Sequence, residues 1–369
     1  MRQTTFSDAE FINKKKQTRR DRFLAQIEAV TPWPALVAAL LPYYPKGDRR
    51  GRPPVGLERM LRKYIAQQCF GLSDEGIEDA IYDSQAIRGF VGIDLTHESA
   101  PDATTLLKFR RLLEKHNLTR RILDEINGHL ASKGLVMREG TIVDATLIAA
   151  PPSTKNRDEK RDPEMHRSKK GKNWFFGMKA HIGVDARSGL AHTLVTTAGN
   201  VSDVTQTHKL LHGDKTMVFG DADYHRADKR PENACKAVTW HIAMKRSVRK
   251  AMKKNPLGRV KEKLEKAKAS VRAKVEHLFH VLKNLFRHRK TRYRGLEKNT
   301  AQLHTLFTFA NPVLAGRTFG SAHPHSVLSV ETRAAARKND RDAQAGAQKI
   351  ADFDHRSVRR QFPHVGTAT

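Results

Sequence analysis

Cysteine is nearly missing from this chain: Cys69 and Cys235 are the only two among 369 residues. So few thiols exclude a disulfide framework and a thiolate zinc site, and they suit a reducing compartment. Acid is scarce beside base. Lysine and arginine number 68 against 39 aspartates and glutamates, a formal charge of +29. Long apolar runs are also lacking. The longest, Ala35 to Leu41, is hemmed by Pro34 and Pro42 and is far too short to span a bilayer. The first residues, Arg2 to Arg22, are polar and basic, unlike a signal peptide. No membrane partner is expected.

What is present is enough apolar residue for a core, 38%, and a cationic excess of the size that marks a binder of polyanions. The bases are spread along the chain and not gathered in one amphipathic helix. Nucleic acid is therefore the expected partner, since each neutralised phosphate releases counterions, and the expected location is cytoplasmic and nucleoid-associated. The length allows two domains and a tail. Changes of texture place them at 1–135, 136–316 and 317–369.

The first of these regions reads as all-helical. Short helices are expected over Phe23 to Val30 and Pro34 to Leu41. Lys46 to Pro54, KGDRRGRPP, then reads as an extended basic loop. Leu57, Leu61, Tyr64 and Ile65 make one apolar helical face. Ser73 caps a helix with Ile77 and Ile81 turned inward. Asp102 opens a helix over Thr104 to His116 that is apolar at Leu106, Phe109 and Leu113. The same helix is basic at Lys108, Arg110, Arg111 and Lys115. A short basic helix after a turn is what a major-groove reader requires, so Lys108, Arg110 and Arg111 are candidate DNA contacts. A last helix from Thr119 ends near Gly134.

The pattern changes at Gly140. TIVDATLI, Thr141 to Ile148, is β-branched and bounded by Gly140 and Pro151, which predicts a strand. Asp144 lies inside it, where a charge is costly unless something compensates it. A basic loop is expected over Lys155 to Lys172. Strands follow over Trp174 to Val184 and Leu190 to Thr197, then a helix capped by Asn200 or Ser202. Lys215 to Gly220 reads as a strand with Asp221 at its end. A helix near Arg226 to Lys236, a strand near Thr239 to Met244 and a basic connector over Lys245 to Lys263 come next.

The connector leads into VRAKVEHLFHVLKNL, Val271 to Leu285. Its apolar residues Val271, Val275, Leu278, Leu282 and Leu285 recur every three or four positions, as on a helix with one buried face. At 100° per residue, Arg272, Glu276 and Lys283 fall within roughly 40° of one another along an edge of that face. Alone, such a stripe is ordinarily a solvated face. Asp144 and Asp221 upstream alter the reading. If their strands are neighbours, both carboxylates emerge together, and the helix packed on them adds Glu276. Three oxygen donors without an ordered set of Cys or His suit two hard ions, Mg²⁺ or Mn²⁺. Two such ions clamp the attacking and leaving oxygens of a phosphodiester. His277 and His280 beside Glu276 lack a third soft ligand, which leaves them packing or phosphate contacts. Trp174 and Trp240 are expected in the core before any base-stacking role. RHRKTRYR, Arg287 to Arg294, reads as surface that binds phosphate.

GTIVDATLI, WFFGMKAHIGVDARSGLAHTLVTTAGNVSD, VFGDADYHR, VRAKVEHLFHVLK and TRYRGLEKNTAQLHTLF resemble bacterial insertion-sequence DDE transposases of the insertion-sequence-five type, related to the insertion-sequence-four superfamily. LSDEGIEDAIYDS and PDATTLLKFRRLLEKHNL resemble that family's N-terminal domain. The resemblance covers about residues 20–316. It implies an α/β fold: a ribonuclease-H-like mixed sheet with flanking helices, preceded by an all-α N-terminal DNA-binding domain. It implies metal-dependent DNA cleavage and strand transfer with Asp144, Asp221 and Glu276 as catalytic metal ligands. Arg272, Lys283 and Tyr224 would contact DNA, and Arg289 and Arg292 are further phosphate candidates. The implied partners are double-stranded DNA, as terminal inverted repeats and target, and a second copy of the chain in a homodimeric synaptic complex. Asp223 stands where the family usually has Gly or Ala, so Asp221 and Asp223 remain alternatives, with the strand-end position favouring Asp221. Ala269 replaces the usual Tyr before Arg272, and Pro312 interrupts an apolar closing helix. A non-catalytic DNA-binding repressor derived from a transposase is the alternative reading.

Overall fold

The computed structural model describes residues 16–47, 53–135, 140–155, 157, 159–211, 215–234, 236–251 and 256–319. Most of the KGDRRGRPP loop, Cys235 and the tail from residue 320 lie outside them.

Among the described residues, seven α-helices come first: α1 (Arg19–Val30), α2 (Trp33–Leu40), α3 (Leu57–Phe70), α4 (Asp74–Asp83), α5 (Gln85–Val91), α6 (Ala103–Lys115) and α7 (Leu118–Ser132). Their starts follow side-chain capping. Thr18 and Asp21 form a reciprocal capping box before α1. Ser73 accepts the Gly76 amide at 2.9 Å before α4, and Asp102 accepts the Thr105 amide before α6. The faces predicted from spacing are inside: Ile77, Ile81, Leu106, Phe109 and Leu113 are all buried. Lys63 is buried among them and donates to the Pro101 carbonyl, tying α3 to the start of α6.

A mixed sheet follows, built of β1 (Gly140–Ala149), β2 (His166–Lys170), β3 (Asn173–Asp185), β4 (Ala191–Ala198), β5 (Met217–Gly220) and β6 (Thr239–Ile242). β3 lies antiparallel to β1 on one side, and to β2 and then β4 on the other. Beyond β1, strands β5 and β6 run parallel to it. Turn chemistry sets the β3–β4 hairpin: Asp185 accepts the amides of Arg187 and Ser188. Between β4 and β5 lie a 3-10 turn at Asp203–Gln206 and the short α8 (Thr207–Leu210).

Three expectations fail here for local reasons. The basic loop over Lys155 to Lys172 contains β2, a strand exposed along nearly its whole length, so it shows no inside–outside alternation. The helix expected near Arg226 to Lys236 is instead two 3-10 turns, Ala227–Lys229 and Pro231–Asn233. Arg226 is left-handed at φ 65°, and Pro231 supplies no amide for a continuing ladder. The connector over Lys245 to Lys263 is helical at α9 (Arg246–Lys250) and again from Pro256, where α10 (Pro256–His280) begins.

Helix α10 packs on β1 and β5 and buries Val271, Val275 and Leu278 in one core with Ile142, Ile148 and Phe219. The wheel then slips. Val281–Leu285 is a π turn, and the Phe286 amide reaches back five residues to Val281 at 2.9 Å. An extra residue per turn rotates all that follows. Leu285, expected inside, is 40% exposed, and Phe286 is fully buried in its place.

The closing helix α11 (Leu296–Phe319) continues through Pro312. It is buried along most of its length and joins the N-terminal helices to the sheet in one core. Gln302 donates to Gln68 at 2.7 Å, and Tyr64 meets Thr305 at 3.1 Å. Asn311 bonds both Asn127 on α7 and the Ala191 backbone on β4. No single helix among the described residues is long and apolar enough to cross a membrane.

Candidate active site

Strand register places the first two acids. β1 and β5 pair in parallel with Ile142 opposite Phe219, so two residues further Asp144 comes level with Asp221. Ile142 and Phe219 both point into the core beneath α10. By the two-residue period of a strand, Asp144 lies on that same face. β5 ends at Gly220, so beyond it the edge of β1 at Asp144 has no strand partner on that side. The acids therefore meet in a notch at the end of the parallel pair, a common position for sites in sheets of this kind.

The notch is short of positive charge. Burial pushes the Asp144 carboxyl up to about 6, and Asp221 and Asp203 push the same way. The Ala145 amide, at 2.7 Å, and Arg272 oppose that rise. Burial also raises Asp221, with Asp223 adding to it, while the Asp223 amide and Arg272 oppose. Asp221 is half-buried and Asp223 exposed. That contrast, with the register, favours Asp221 over Asp223 as the acid of the notch. Arg272, half-buried on α10, is the cation the two acids share.

Glu276 is exposed on α10. Among the described residues, no three Asp, Glu, His or Cys side chains stand close enough to hold one metal ion. The structure thus brings together Asp144, Asp221 and Arg272, and leaves Glu276 outside the pair. Two carboxylates raised by burial and by neighbouring acids fit a hard divalent cation, whose charge would offset both effects. The third donor is not assembled with them in this arrangement. His277 and His280 are exposed as well.

The other predicted contacts divide by burial. Lys283, in the π turn, is half-buried and donates to the Leu147 carbonyl at 3.1 Å. Its amine is held below the usual lysine range by burial and by its neighbours Lys170 and Arg289. It is an anchor of the helix on β1 within a cationic cluster. Arg289 is exposed and donates to the Lys283 carbonyl at 3.2 Å. Arg292 is exposed and lies 3.4 Å from the Leu72 carbonyl. Lys108 and Arg111 are exposed on α6. Arg110 is not: it is buried, paired with Asp74 through both terminal nitrogens, and lies over the Tyr293 ring. Tyr224 is only 1% exposed, so the DNA contact expected of it is replaced by an inward-facing hydroxyl. That hydroxyl has no hydrogen-bond partner. Burial, then the charges of Asp144, Asp203, Asp221 and Asp223, hold it in the phenol form.

One residue of this surrounding was missed. Asp203 follows β4, accepts Lys179 at 2.8 Å and lies 3.6 Å from His181. Its charge reaches Asp144, Asp221 and Tyr224. Nothing in its spacing pointed to the notch, because only the sheet order brings the end of β4 there.

A mixed sheet with paired carboxylates at adjacent strand ends, in a strongly cationic chain, has the outline of an enzyme acting on a polyanion. Residues 137–311 match the family described as Transposase DDE domain, a span that includes Asp144, Asp221, Arg272, Glu276 and Lys283. Residues 12–112 match the Transposase domain (DUF772). Together the two matches span most of the chain and support an insertion-sequence DDE transposase. A solved structure of the piggyBac transposase synaptic complex with hairpin DNA aligns over 95% of this chain and 86% of that chain, at 12% identity and a TM-score of 0.38. That alignment is too loose to inform any residue here.

Proposed function

We propose that the chain is an insertion-sequence transposase of the insertion-sequence-five type that cuts DNA at terminal inverted repeats and joins the ends to target DNA. The observation that carries this reading is the level placement of Asp144 and Asp221 on parallel neighbours, with Arg272 between their charges, inside the segment matching the DDE domain. The sheet supports a ribonuclease-H-like core, with three antiparallel strands (β4, β3, β1) followed by two parallel ones (β5, β6).

In the cutting step, a water adds to the phosphorus and the 3′-oxygen leaves as a hydroxyl. In joining, that hydroxyl adds to a target phosphodiester and displaces its 3′-oxygen. Divalent Mg²⁺ or Mn²⁺ would be held by Asp144 and Asp221, with Glu276 as the expected third donor, and would supply Lewis-acid polarisation of the phosphate. Arg272 offsets part of the acids' charge and so lets a phosphate approach them. Lys108 and Arg111 on α6, with Arg289 and Arg292, would hold duplex backbone. A homodimer would pair two element ends, and the protein would work beside the nucleoid.

The test is strand transfer in Mg²⁺ with a labelled DNA end carrying the inverted repeat. Asp144→Asn and Glu276→Gln should each abolish joined product while duplex binding persists. Full activity in either variant would remove that residue from the assignment. A wild-type protein that binds the ends but never nicks them would favour the repressor reading.

A further inference from the structure

β2 and β3 form a two-stranded ribbon that leaves the sheet. β1 accompanies β3 only as far as Gly177, opposite Ala149. Beyond that point the Phe176 carbonyl still accepts the Ala150 amide at 2.7 Å, and residues 173–175 pair with β2. The exit is tight: a Cβ at Gly177 would fall 2.1 Å from the Ile148 carbonyl oxygen, so only hydrogen fits there. Gly171, at φ 63°, makes the turn at the tip.

The ribbon carries an unusual surface. Trp174 is 65% exposed and Phe175 37%, against the expectation that Trp174 packs in the core. Large exposed aromatics on a projecting element mark contact surfaces. From His166 through Val184 there is no acid, and Arg167, Lys169, Lys170 and Lys172 surround the tip. Lys169 faces Trp174 across the ribbon, with its amine 5.8 Å from the ring. A second copy of the same tip would bring like charges together, so self-association is disfavoured. Charge complementarity selects a polyanion, and an open indole face selects one with planar groups free to stack.

The face matters as much as the exposure. Asp144 lies opposite Ile182 on β3. Counting by twos from Ile182 reaches Met178, Phe176 and Trp174, so Trp174 projects from the same side of the sheet as the acid. Phe176 is partly buried against the core, with Arg161 5.7 Å from its ring, which fixes the root of the ribbon. From Ile182 to Trp174 is about 26 Å at roughly 3.3 Å per residue. A DNA strand passing the acids would reach the ring after about eight nucleotides at 3.4 Å each. Lys170, opposite Asn173 at the tip, is near enough to Lys283 for its charge to act on it.

We propose that the β2–β3 ribbon is a second DNA site that takes an unpaired nucleotide, with the base stacked on Trp174 and the flanking phosphates on Lys169 and Lys172. The proposal rests on the transposase reading, and its role there is to hold strand that is no longer paired beside the cutting site. Base-on-aromatic stacking beside cations is the usual means of holding single strands.

The test is equilibrium binding without divalent cation, using an oligothymidylate and a blunt duplex of equal length. Wild type is compared with Trp174→Ala and Trp174→Phe, both tolerable at so exposed a position. Trp174→Ala should weaken oligothymidylate binding by about tenfold and leave the duplex within about twofold. Trp174→Phe should recover most of the loss. Tryptophan emission should be quenched by oligothymidylate in wild type and not in Trp174→Phe, since Trp33 is buried and Trp240 half-buried. Equal loss on both DNAs, no loss on either, or a change only in sedimentation that reveals a protein contact would overturn the proposal. Failure of wild type to bind the duplex would count against the transposase reading instead, so the two failures are distinct.

Discussion

Arg110 on α6 grips Asp74 on α4 with both terminal guanidinium nitrogens, at 2.7 and 2.8 Å. Asp74 also accepts Gln67 at 2.5 Å. Sequence made Arg110 look equivalent to Lys108 and Arg111, and the three should now separate by assay. Arg110→Ala should lower stability by about 3 kcal/mol, because it leaves a part-buried carboxylate without its partner. Lys108→Ala and Arg111→Ala should be stable, weaken duplex binding, and each reduce the slope of log K against log salt by about one. Urea unfolding and salt titrations measure the two effects. An Arg110→Ala variant that unfolds like wild type would contradict the buried pairing.

The acid pair should reduce stability in the absence of metal. Asp144 has its folded pKa raised to about 6. A carboxyl raised in this direction contributes fully below its unfolded pKa near 4, and its contribution is lost as pH rises through 6. Metal-free Asp144→Asn should therefore be more stable than wild type at pH 7, by on the order of 1–3 kcal/mol. Mg²⁺ should raise the thermal midpoint of wild type and leave that of Asp144→Asn nearly unchanged. A variant no more stable than wild type at pH 7 would mean the notch is not short of positive charge.

Buried histidines should act in the opposite sense. Burial, with help from Arg292, lowers His288 to about 4, and burial with Arg120 does the same to His304. Neither ring nitrogen of His288 has a hydrogen-bond partner. A histidine with a depressed folded pKa contributes stability that is present above its unfolded pKa near 6.5 and lost as pH falls toward 4. His288→Leu should flatten the fall of the melting temperature between those values. Scans of wild type and variant across that range, both in the same salt, decide it.

The π turn makes a prediction opposite to the helical wheel. Phe286→Ala should cost about 3–5 kcal/mol, the range for a buried aromatic. Leu285→Ala, at a position 40% exposed, should cost less than about 1 kcal/mol. An uninterrupted α-helix would give the reverse order, so two unfolding curves distinguish them.

Strands whose two faces meet different surroundings were legible. β1, β3, β4, β5 and β6 all lie where β-branched and apolar residues predicted them, and the caps at Ser73 and Asp102 follow from single residues. β2 was not legible, because a strand of His, Arg, Ser and Lys that is solvated on both faces carries no periodic signal. Asp144 and Asp221 could be paired from sequence because each is anchored to a strand. Glu276 was placed by a helical wheel and by the resemblance, and neither gives the distance of its side chain from the acids on the sheet. Arg110 was misjudged because its partners, Asp74 and Tyr293, are far away in the chain, and Tyr224 because its ring packs with Val143 and Leu210, which only the folded sheet brings to it.

Asn311 holds α7 and β4 at once, while Gln302 and Thr305 hold α3. A gene copy interrupted before residue 296 would strip polar partners from the helical and sheet halves alike and open their common interior to water. A chain cut short there should therefore lose the cohesion of both halves together and not shed a separable end.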